Sequence, residues 1–211
     1  MTIVLATRNT GKISELRRLL DGWQVGSCDV YPGCPVPDET GLTFQENALI
    51  KARTIASFTQ EVTLADDSGL EVDALNGAPG IYSARFAGPN ASDEANRRKL
   101  LHLLSTIPDA ERTARFRSVI AISTPDGREW ISEGFCEGHI GRQEMGKDGF
   151  GYDPLFIPDG YKQAFAQLGK EIKNQISHRA RALQKSMNIL RVINSRITPA
   201  WCCSATTLCP G

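Results

Sequence analysis

The chain has neither a net charge nor a long apolar run. Its 24 lysine and arginine residues equal its 24 acidic residues, so no overall field attracts nucleic acid or an anionic membrane. No stretch approaches the roughly 20 apolar residues of a membrane span. The opening MTIVLATRNTGK has no basic region, and its apolar run is too short for a secretory signal. These absences predict a cytoplasmic protein with neither a nucleic acid nor a membrane partner.

Cysteines are few and follow no ligand pattern. The six cysteines lack the paired spacing of a zinc site, and a chain of this length does not depend on disulfides for stability. Three of them lie in residues 198–211, TPAWCCSATTLCPG, which contain two prolines and no periodicity. We therefore expect residues 1–197 to form a single domain and residues 198–211 to be an irregular, disordered tail.

What is present is an alternation of strand and helix patterns. β-rich or alternating runs predict strands at Thr2–Ala6, Val62–Asp66, 113–123, Arg128–Ile140 and Leu155–Ile157. Apolar residues at helical spacing predict helices from Gly11 onward, after Ser92 and after Ser177. The capping-box pattern of Thr43 and Glu46 predicts a helix from Thr43 to about Ser57. The turn signal TPDG at 124–127 predicts that the strands on either side of it form a hairpin. This order predicts an α/β fold with a mixed central sheet flanked by helices.

Two adjacent acids follow one of the predicted strands. Asp66 and Asp67 come directly after the apolar run 62–65, and Ser68 and Gly69 follow them. This pattern predicts a turn that places both acids at a strand end, facing a cleft. Carboxylates so close together repel one another unless a cation compensates. Mg²⁺ bound by carboxylates and substrate phosphates is one solution, and a solvated acidic turn explains the pair equally well.

A polar segment lies between the first predicted strand and the first predicted helix. Thr7–Lys12 lies where a helix N-terminus offers free N–H groups and a positive dipole to phosphate. Lys12 adds a positive charge. The segment is not a P-loop, because Ile13 replaces the hydroxyl residue that would hold magnesium. A plain strand-to-helix turn is an equally good interpretation.

Two later segments also carry ligand-binding residue types. Gly149–Pro154 places two aromatic side chains and an acid among glycines, and Phe150 could stack on a base. An aromatic-anchored loop explains this segment as well. Lys173, His178 and Arg179 cluster around a predicted helix start. Three such groups favour a second site for an anion or a carbonyl group.

Together, five segments of the chain resemble one protein family. They are TRNTGK, DETGLTFQENALIKA, ADDSGLEVDALNGAPGIYSARFAG, GFGYDPLF and KNQISHRARAL, in this order. They are similar to the non-canonical purine NTP pyrophosphatases of the Ham1 type, over about residues 3–195. The resemblance implies a two-lobed, elongated mixed sheet with the active-site cleft between its lobes, and a homodimer. It also implies Mg²⁺-dependent hydrolysis of ITP, dITP and XTP to the monophosphate and pyrophosphate, which would remove them from the nucleotide pool.

The resemblance further implies roles for residues at matching positions. Asp67 is the expected general base and a metal ligand. Asp38 is the other expected metal ligand, although the family usually has Glu there, and Glu39 is the alternative. The remaining matched positions are expected to bind substrate: Thr7, Arg8, Asn9, Thr10, Gly11, Lys12, Ser68, Phe150, Gly151, Tyr152, Asp153, Lys173, His178 and Arg179.

Two other functions remain open on the sequence. One is an NTP pyrophosphatase with a different base specificity. The other is a non-catalytic nucleotide-binding module, which the balanced charge and the clustered carboxylates disfavour if the partner is RNA. Release of pyrophosphate from a panel of nucleotides distinguishes these possibilities.

Overall fold

The computed structural model describes residues 1–197, so the predicted tail at 198–211 lies outside the described residues. The strands in this range are β1 Thr2–Leu5, β2 Gln24–Ser27, β3 Val62–Val72, β4 Thr113–Ser123, β5 Glu129–Ile140 and β6 Phe156–Pro158. The α-helices are α1 Thr10–Leu19, α2 Phe44–Thr59, α3 Asp93–Leu103, α4 Phe165–Ile176 and α5 His178–Ile197. No helix within residues 1–197 combines the length and the apolarity that crossing a membrane requires.

The strands form one mixed sheet in the order β2-β1-β3-β4-β5-β6. β1 pairs in parallel with both β2 and β3, whereas β3, β4, β5 and β6 pair antiparallel in succession. The parallel β1-α1-β2 unit needs a helical crossover, while a tight turn is enough to join β4 to β5. The predicted mixed sheet flanked by helices is therefore confirmed.

The turn predicted at Ser68 and Gly69 is wrong. β3 continues through both residues to Val72 and pairs with β4 along its length. Gly69 is needed for space rather than for a turn, because a Cβ atom there would lie 2.4 Å from the carbonyl oxygen of Gly80. Asp66 and Asp67 consequently lie in the middle of an 11-residue strand rather than at its end.

Local sequence signals fix the helix starts. The Thr43 hydroxyl accepts a hydrogen bond from the Glu46 backbone N–H, and the Glu46 carboxylate accepts one from the Thr43 backbone N–H, so the predicted capping box of α2 is confirmed. The Ser177 hydroxyl accepts from the backbone N–H of Ala180 at the start of α5. Helix α4 is missing from the sequence prediction, and in the structure its backbone is interrupted at Gly169, whose φ is 77°.

The long strands carry separate hydrophobic cores at their two ends. Near β1, Leu64 packs with α1 and α5 in a cluster on one face of the sheet, and Ala65 belongs to a cluster that contains α2 residues. At the other end, Leu70 packs with residues of α3, β5 and α4. Between these cores β3 presents polar side chains, and Ser68 pairs in register with Ser118 of β4. The sheet thus has two lobes with a polar belt between them.

Candidate active site

Two adjoining cavities lie at this polar belt. The larger one, of about 240 Å³, is lined by Thr7, Lys51 and Asp67 among others, and we call it the acidic compartment. The smaller one, of about 100 Å³, is lined by Phe150, His178 and Arg179 among others, and we call it the aromatic compartment. Four residues line both, namely Asn9, Lys12, Ser68 and Ala84. The cleft is therefore continuous from one compartment to the other.

Asp66 is a buried residue of the polar belt and holds several of its side chains in place. It is 1% exposed, and its carboxylate pairs with the Lys12 ammonium at 3.0 Å and with Arg179 at 3.2 Å. The Ser118 hydroxyl donates to it at 2.6 Å. Burial acts to raise the pKa of Asp66, but Arg179 and Lys12 outweigh it and hold the pKa well below its ordinary value. Asp66 is therefore charged at neutral pH and acts as a structural group.

Asp67, its neighbour in β3, faces the acidic compartment. Its carboxylate accepts from the Lys51 ammonium at 2.6 Å. Burial raises the pKa of Asp67 above its ordinary value, although Lys51 and Lys12 oppose the shift. A carboxylate with a raised pKa is a stronger proton acceptor than a solvated one, which suits a general base.

Lys51 is a site residue that the sequence prediction missed. Its ammonium group contacts Glu39 at 3.0 Å and the Asp66 carbonyl at 3.1 Å, besides Asp67. Burial acts to lower the pKa of Lys51, but Asp67 and Glu39 outweigh it and raise the pKa. The available signal was a lysine on the buried face of α2, one turn after Asn47. A cation at such a position needs a buried partner.

Two acids before α2, Asp38 and Glu39, were candidate metal ligands. In the structure it is Glu39 that lies near Asp67, because both carboxylates contact the Lys51 ammonium group. Glu39 lines the acidic compartment and also lies 3.5 Å from Arg85. Asp38 is exposed, and its backbone carbonyl accepts from the N–H of Thr40. The two positions differ because Lys51 attracts the second carboxylate and not the first.

The oxygen atoms around Lys51 fit a hard divalent cation. The Asp67 and Glu39 carboxylates and the Asp66 carbonyl converge on its ammonium group. Mg²⁺ is commonly held by one or two carboxylates together with substrate phosphates and water. Residues 1–197 hold no group of three or more His, Cys, Asp or Glu side chains that could bind a metal. Substrate phosphates would therefore have to supply part of the coordination.

Residues 7–12, at the junction of β1 and α1, border three cavities, because Asn9 and Lys12 line both compartments. Thr7, Arg8, Asn9 and Lys12 line the acidic compartment, and Asn9 caps α1 by accepting from the Lys12 backbone at 3.0 Å. Arg8 pairs with Asp29 at 3.1 Å. Thr10 and Gly11 instead line a neighbouring cavity with Phe150.

Gly149–Pro154 forms one wall of the aromatic compartment. The Phe150 ring lies 4.8 Å from the Lys173 ammonium and 5.8 Å from the Arg179 guanidinium carbon. Asp153 holds this loop, because its carboxylate accepts from the Phe150 backbone at 2.9 Å and from Lys173 at 2.5 Å. The Tyr152 hydroxyl donates to the Ser83 carbonyl at 2.9 Å, and burial raises the pKa of Tyr152.

The Gly151 backbone N–H, in the same loop, donates to Asp93 at 2.6 Å. Four consecutive residues of this segment, Phe150, Gly151, Tyr152 and Asp153, line the aromatic compartment together.

His178 is a buried polar group without a complete set of partners. Its ring stacks on Phe116 with centroids 4.7 Å apart, and its Nδ1 atom has no hydrogen-bond partner among residues 1–197. Burial and the adjacent Arg179 lower the pKa of His178 well below its ordinary value. The imidazole is therefore neutral, and it offers one donor and one acceptor nitrogen at the aromatic compartment.

Arg179 has most of its donors engaged inside the protein. Its guanidinium group contacts Asp66, Ser68 and Glu15. Glu15, which the sequence prediction missed, is buried and also pairs with Lys173 at 2.7 Å. Burial acts to raise the pKa of Glu15, but Arg179 and Lys173 outweigh it and lower the pKa. A glutamate beside the buried Leu16 of α1 was the available signal.

The chain matches known proteins along most of its length. A family model described as the Ham1 family matches residues 3–189. A dITP/XTP pyrophosphatase of Desulforamulus reducens is 57% identical over 192 residues, which cover 90% of this chain and 96% of that protein. The solved structure of a Ham1 protein from Coxiella burnetii is 41% identical with a TM-score of 0.82, covering 91% of this chain and 99% of that one. The Staphylococcus aureus Ham1 protein is also 41% identical, with a TM-score of 0.79 and coverage of 94% and 100%.

Proposed function

The chain belongs to the Ham1 family, and from this membership we propose that it hydrolyses non-canonical purine nucleoside triphosphates to the monophosphate and pyrophosphate. The proposed substrates are ITP, dITP and XTP. The observation that carries the proposal is Asp67, a buried carboxylate with a raised pKa that lines the acidic compartment next to Ser68, a residue that lines both compartments. The triphosphate and the purine ring of one nucleotide need two such cavities next to each other, one with cationic groups and one with aromatic groups.

The acidic compartment suits the triphosphate end of such a substrate. Lys12, Arg8 and Lys51 line it, and α1 begins at Thr10 beside it. Helix N–H groups and lysine ammonium groups both stabilise phosphate oxygens. The carboxylates of this compartment would repel the phosphates unless a cation lies between them.

Asp67 is proposed as the general base. It would accept a proton from a water molecule, whose oxygen would attack the α-phosphorus while the bond to the departing pyrophosphate breaks. The Lys51 ammonium stabilises the ionised carboxylate at neutral pH, and burial makes that carboxylate more basic than a solvated one.

Asp67 and Glu39 are the residues proposed to hold Mg²⁺. When bound, the ion would neutralise charge on the phosphate oxygens. Asp38 lines neither compartment, whereas Glu39 lines the acidic compartment, so we propose Glu39 in its place as the second acidic ligand.

The aromatic compartment is proposed to select the base. Phe150 offers a ring for stacking, and the neutral His178 offers a buried nitrogen that has no hydrogen-bond partner in the described part of the chain. Hypoxanthine and xanthine present a 6-keto acceptor, whereas adenine presents a 6-amino donor. A buried donor that faces another donor loses its partner, which can discriminate strongly between substrates.

The test is pyrophosphate release from ITP, XTP, GTP and ATP, with and without Mg²⁺. We expect metal-dependent release from ITP and XTP and slow release from GTP and ATP. Fast turnover of a different base would support a pyrophosphatase of other specificity. Orthophosphate as the product would place the attack on the terminal phosphate and contradict the mechanism. Nucleotide binding without any product would favour the non-catalytic module.

We also propose that the protein is a homodimer in the cytoplasm. The family resemblance is the basis for the dimer. The three described cysteines, Cys28, Cys34 and Cys136, are free thiols, which suits a reducing compartment. Light scattering coupled to gel filtration tests the assembly, because a monomeric mass at micromolar concentration would contradict it. Cell fractionation tests the location.

A further inference from the structure

Helix α3 holds the loop that carries Phe150. The backbone of Gly151 is bound to this helix through both of its polar groups. Its N–H donates to the Asp93 carboxylate at 2.6 Å, and its carbonyl accepts from the Arg97 guanidinium at 2.9 Å. Asp93 and Arg97 are about one turn apart in α3, so their side chains lie on the same side of the helix. We call these two residues the Gly151 clamp.

The Gly151 clamp fixes the peptide that follows the Phe150 ring. The Phe150 N–H donates to Asp153 at 2.9 Å, so the backbone is held on both sides of the ring. Gly151 has a φ of 61°, in the left-handed region that glycine adopts at little cost. Because glycine allows many backbone conformations, the two contacts with α3 select one of them. The Phe150 ring is thereby placed on the wall of the aromatic compartment.

Helix α3 also holds a second part of the cleft wall. Asn96, which is 2% exposed, donates to the Ala84 carbonyl at 3.1 Å and accepts from the Ala87 N–H at 2.8 Å. Ala84 lines both compartments. The neighbouring Arg97 also pairs with Glu144 at 2.8 Å. The Gly151 clamp therefore belongs to a helix that is itself fixed to the cleft.

We propose that Asp93 and Arg97 are positioning residues for purine recognition, which act on the base through the Gly151 peptide and the Phe150 ring. This inference rests on the proposed function, because it takes the aromatic compartment as the site of the base. Neither residue lines the acidic compartment, where Asp67 and the phosphates are placed. Loss of the clamp should therefore weaken binding of the base and spare binding of the phosphates.

The expected effect is on KM for ITP rather than on kcat. Loss of one hydrogen bond weakens affinity by about threefold to tenfold. A contact that stabilises the ground state and the transition state equally changes KM and leaves kcat unaltered. Because Asp93 and Arg97 hold the same peptide, removal of the second should add less than removal of the first. A residue that only stabilises the fold does not produce this selectivity.

The experiment compares Asp93→Ala and Arg97→Met with matched variants of the next residues in α3. Glu94→Ala and Arg98→Met are the controls, because Glu94 and Arg98 pair with each other at 2.6 Å on the exposed surface. Calorimetry measures the affinities for inosine monophosphate and for inorganic tripolyphosphate, and hydrogen exchange measures the protection of residues 149–154. We expect both clamp variants to bind inosine monophosphate about threefold to tenfold more weakly and to exchange faster in this loop. Their affinity for tripolyphosphate, and all properties of the controls, should match the wild type.

Asp93→Asn is the conservative variant, because its amide oxygen can still accept from the Gly151 N–H. It should restore the protection of the loop and the affinity for inosine monophosphate. Steady-state kinetics should follow the same order, with KM for ITP raised and kcat retained in Asp93→Ala and Arg97→Met.

Three results would overturn the inference: unchanged loop exchange in both clamp variants, unchanged affinity for inosine monophosphate, or equal losses of affinity for inosine monophosphate and tripolyphosphate. Neither the binding nor the exchange measurement requires turnover. A wild-type protein that binds inosine monophosphate but hydrolyses no purine triphosphate would therefore contradict only the proposed function. If Asp93→Ala is unstable, because Asp93 lies in the first turn of α3, Arg97→Met tests the clamp by itself.

Discussion

Asp66 and Asp67 are neighbours in β3, yet their surroundings shift their pKa values in opposite directions. Asp66 has two cations within 3.2 Å and a depressed pKa. Asp67 has one ammonium partner in a buried setting and a raised pKa. When the environments of two neighbouring acids shift their pKa values apart in this way, the two acids commonly have different roles. Here we assign a structural role to Asp66 and a catalytic role to Asp67. The two aspartates therefore lead to different predictions.

Asp67→Asn should nearly abolish hydrolysis, because the amide cannot accept the proton from water. We expect kcat for ITP to fall about 10²–10⁴-fold, with nucleotide binding still measurable by calorimetry. Asp159→Asn is the control, since Asp159 is exposed on the protein surface. A variant that keeps near-full turnover would exclude Asp67 as the base.

Asp66→Asn should instead destabilise the fold. It leaves Lys12 without its ion pair and removes the Asp66 charge facing the buried Arg179, and such losses cost about 3–5 kcal/mol. Because the folded pKa is depressed, this contribution is complete above the ordinary value of about 3.9. It is lost as the pH falls from there through the folded pKa.

Urea unfolding at neutral and at acidic pH checks this prediction. The difference between the wild type and Asp66→Asn should be large at pH 7 and smaller below pH of about 3.9. Asp67→Asn is the matched comparison from the adjacent position. An equal loss of stability in both variants would contradict the separation of roles.

His178→Phe should damage base recognition and spare phosphate binding. The phenyl ring retains stacking on Phe116 but has no nitrogen to meet a purine carbonyl. We expect kcat/KM for ITP to fall about tenfold to a hundredfold, while the inhibition constant of tripolyphosphate, which has no base, stays unchanged. His102→Phe, on the exposed surface of α3, is the control. Equal losses for both ligands would reject a role in base selection.

At the start of helix α1, Gly11 has no room for a side chain. A Cβ atom on Gly11 would lie 2.6 Å from the Phe150 ring, so Gly11→Ala has to displace that ring from the aromatic compartment. A base–aromatic contact contributes about 1–3 kcal/mol, and we expect KM for ITP to rise about tenfold. Gly26→Ala is the control, because its Cβ atom would make only an ordinary contact with Thr2 at 3.7 Å. Unchanged KM for Gly11→Ala would show that Phe150 does not contact the base.

The secondary-structure elements show how far sequence patterns predict this structure. The capping box of α2 and the β4–β5 hairpin depend on residues close in sequence, and both are confirmed. The length of β3 was missed because Ser68 and Gly69 resemble a turn locally. Pairing with β4, whose residues lie far along the chain, keeps them extended. Secondary structure set by tertiary contacts is not visible in local propensity.

The site was predictable where polar residues cluster in loops, and less so where charges are buried in helices. Lys51 and Glu15 occupy buried helical positions, and their partners come from distant segments. Glu15 meets Arg179, which is 164 positions away. Only the folded chain reveals that these charges compensate one another and hold the site residues in place.

For the whole molecule, the hydrophobic cores at the two ends of β3 explain why the cleft lies at mid-sheet. Leu64 and Leu70 belong to different cores although they lie in the same strand. The polar belt between them is therefore held from both ends by packed side chains, which favours a rigid placement of Asp66 and Asp67. We propose that residues 1–197 form one two-lobed domain on this basis.

If that domain is sufficient, deletion of residues 199–211 should leave kcat/KM and Tm unchanged. All candidate site residues lie at or before Arg179, and the family match ends at residue 189. Deletion of residues 190–211 is the contrasting variant, because it removes Leu190 and Ile193, which are at most 1% exposed and belong to the core that contains β1 residues. That longer deletion should lower Tm sharply. A large loss of activity from the shorter deletion would show that the domain extends beyond residue 198.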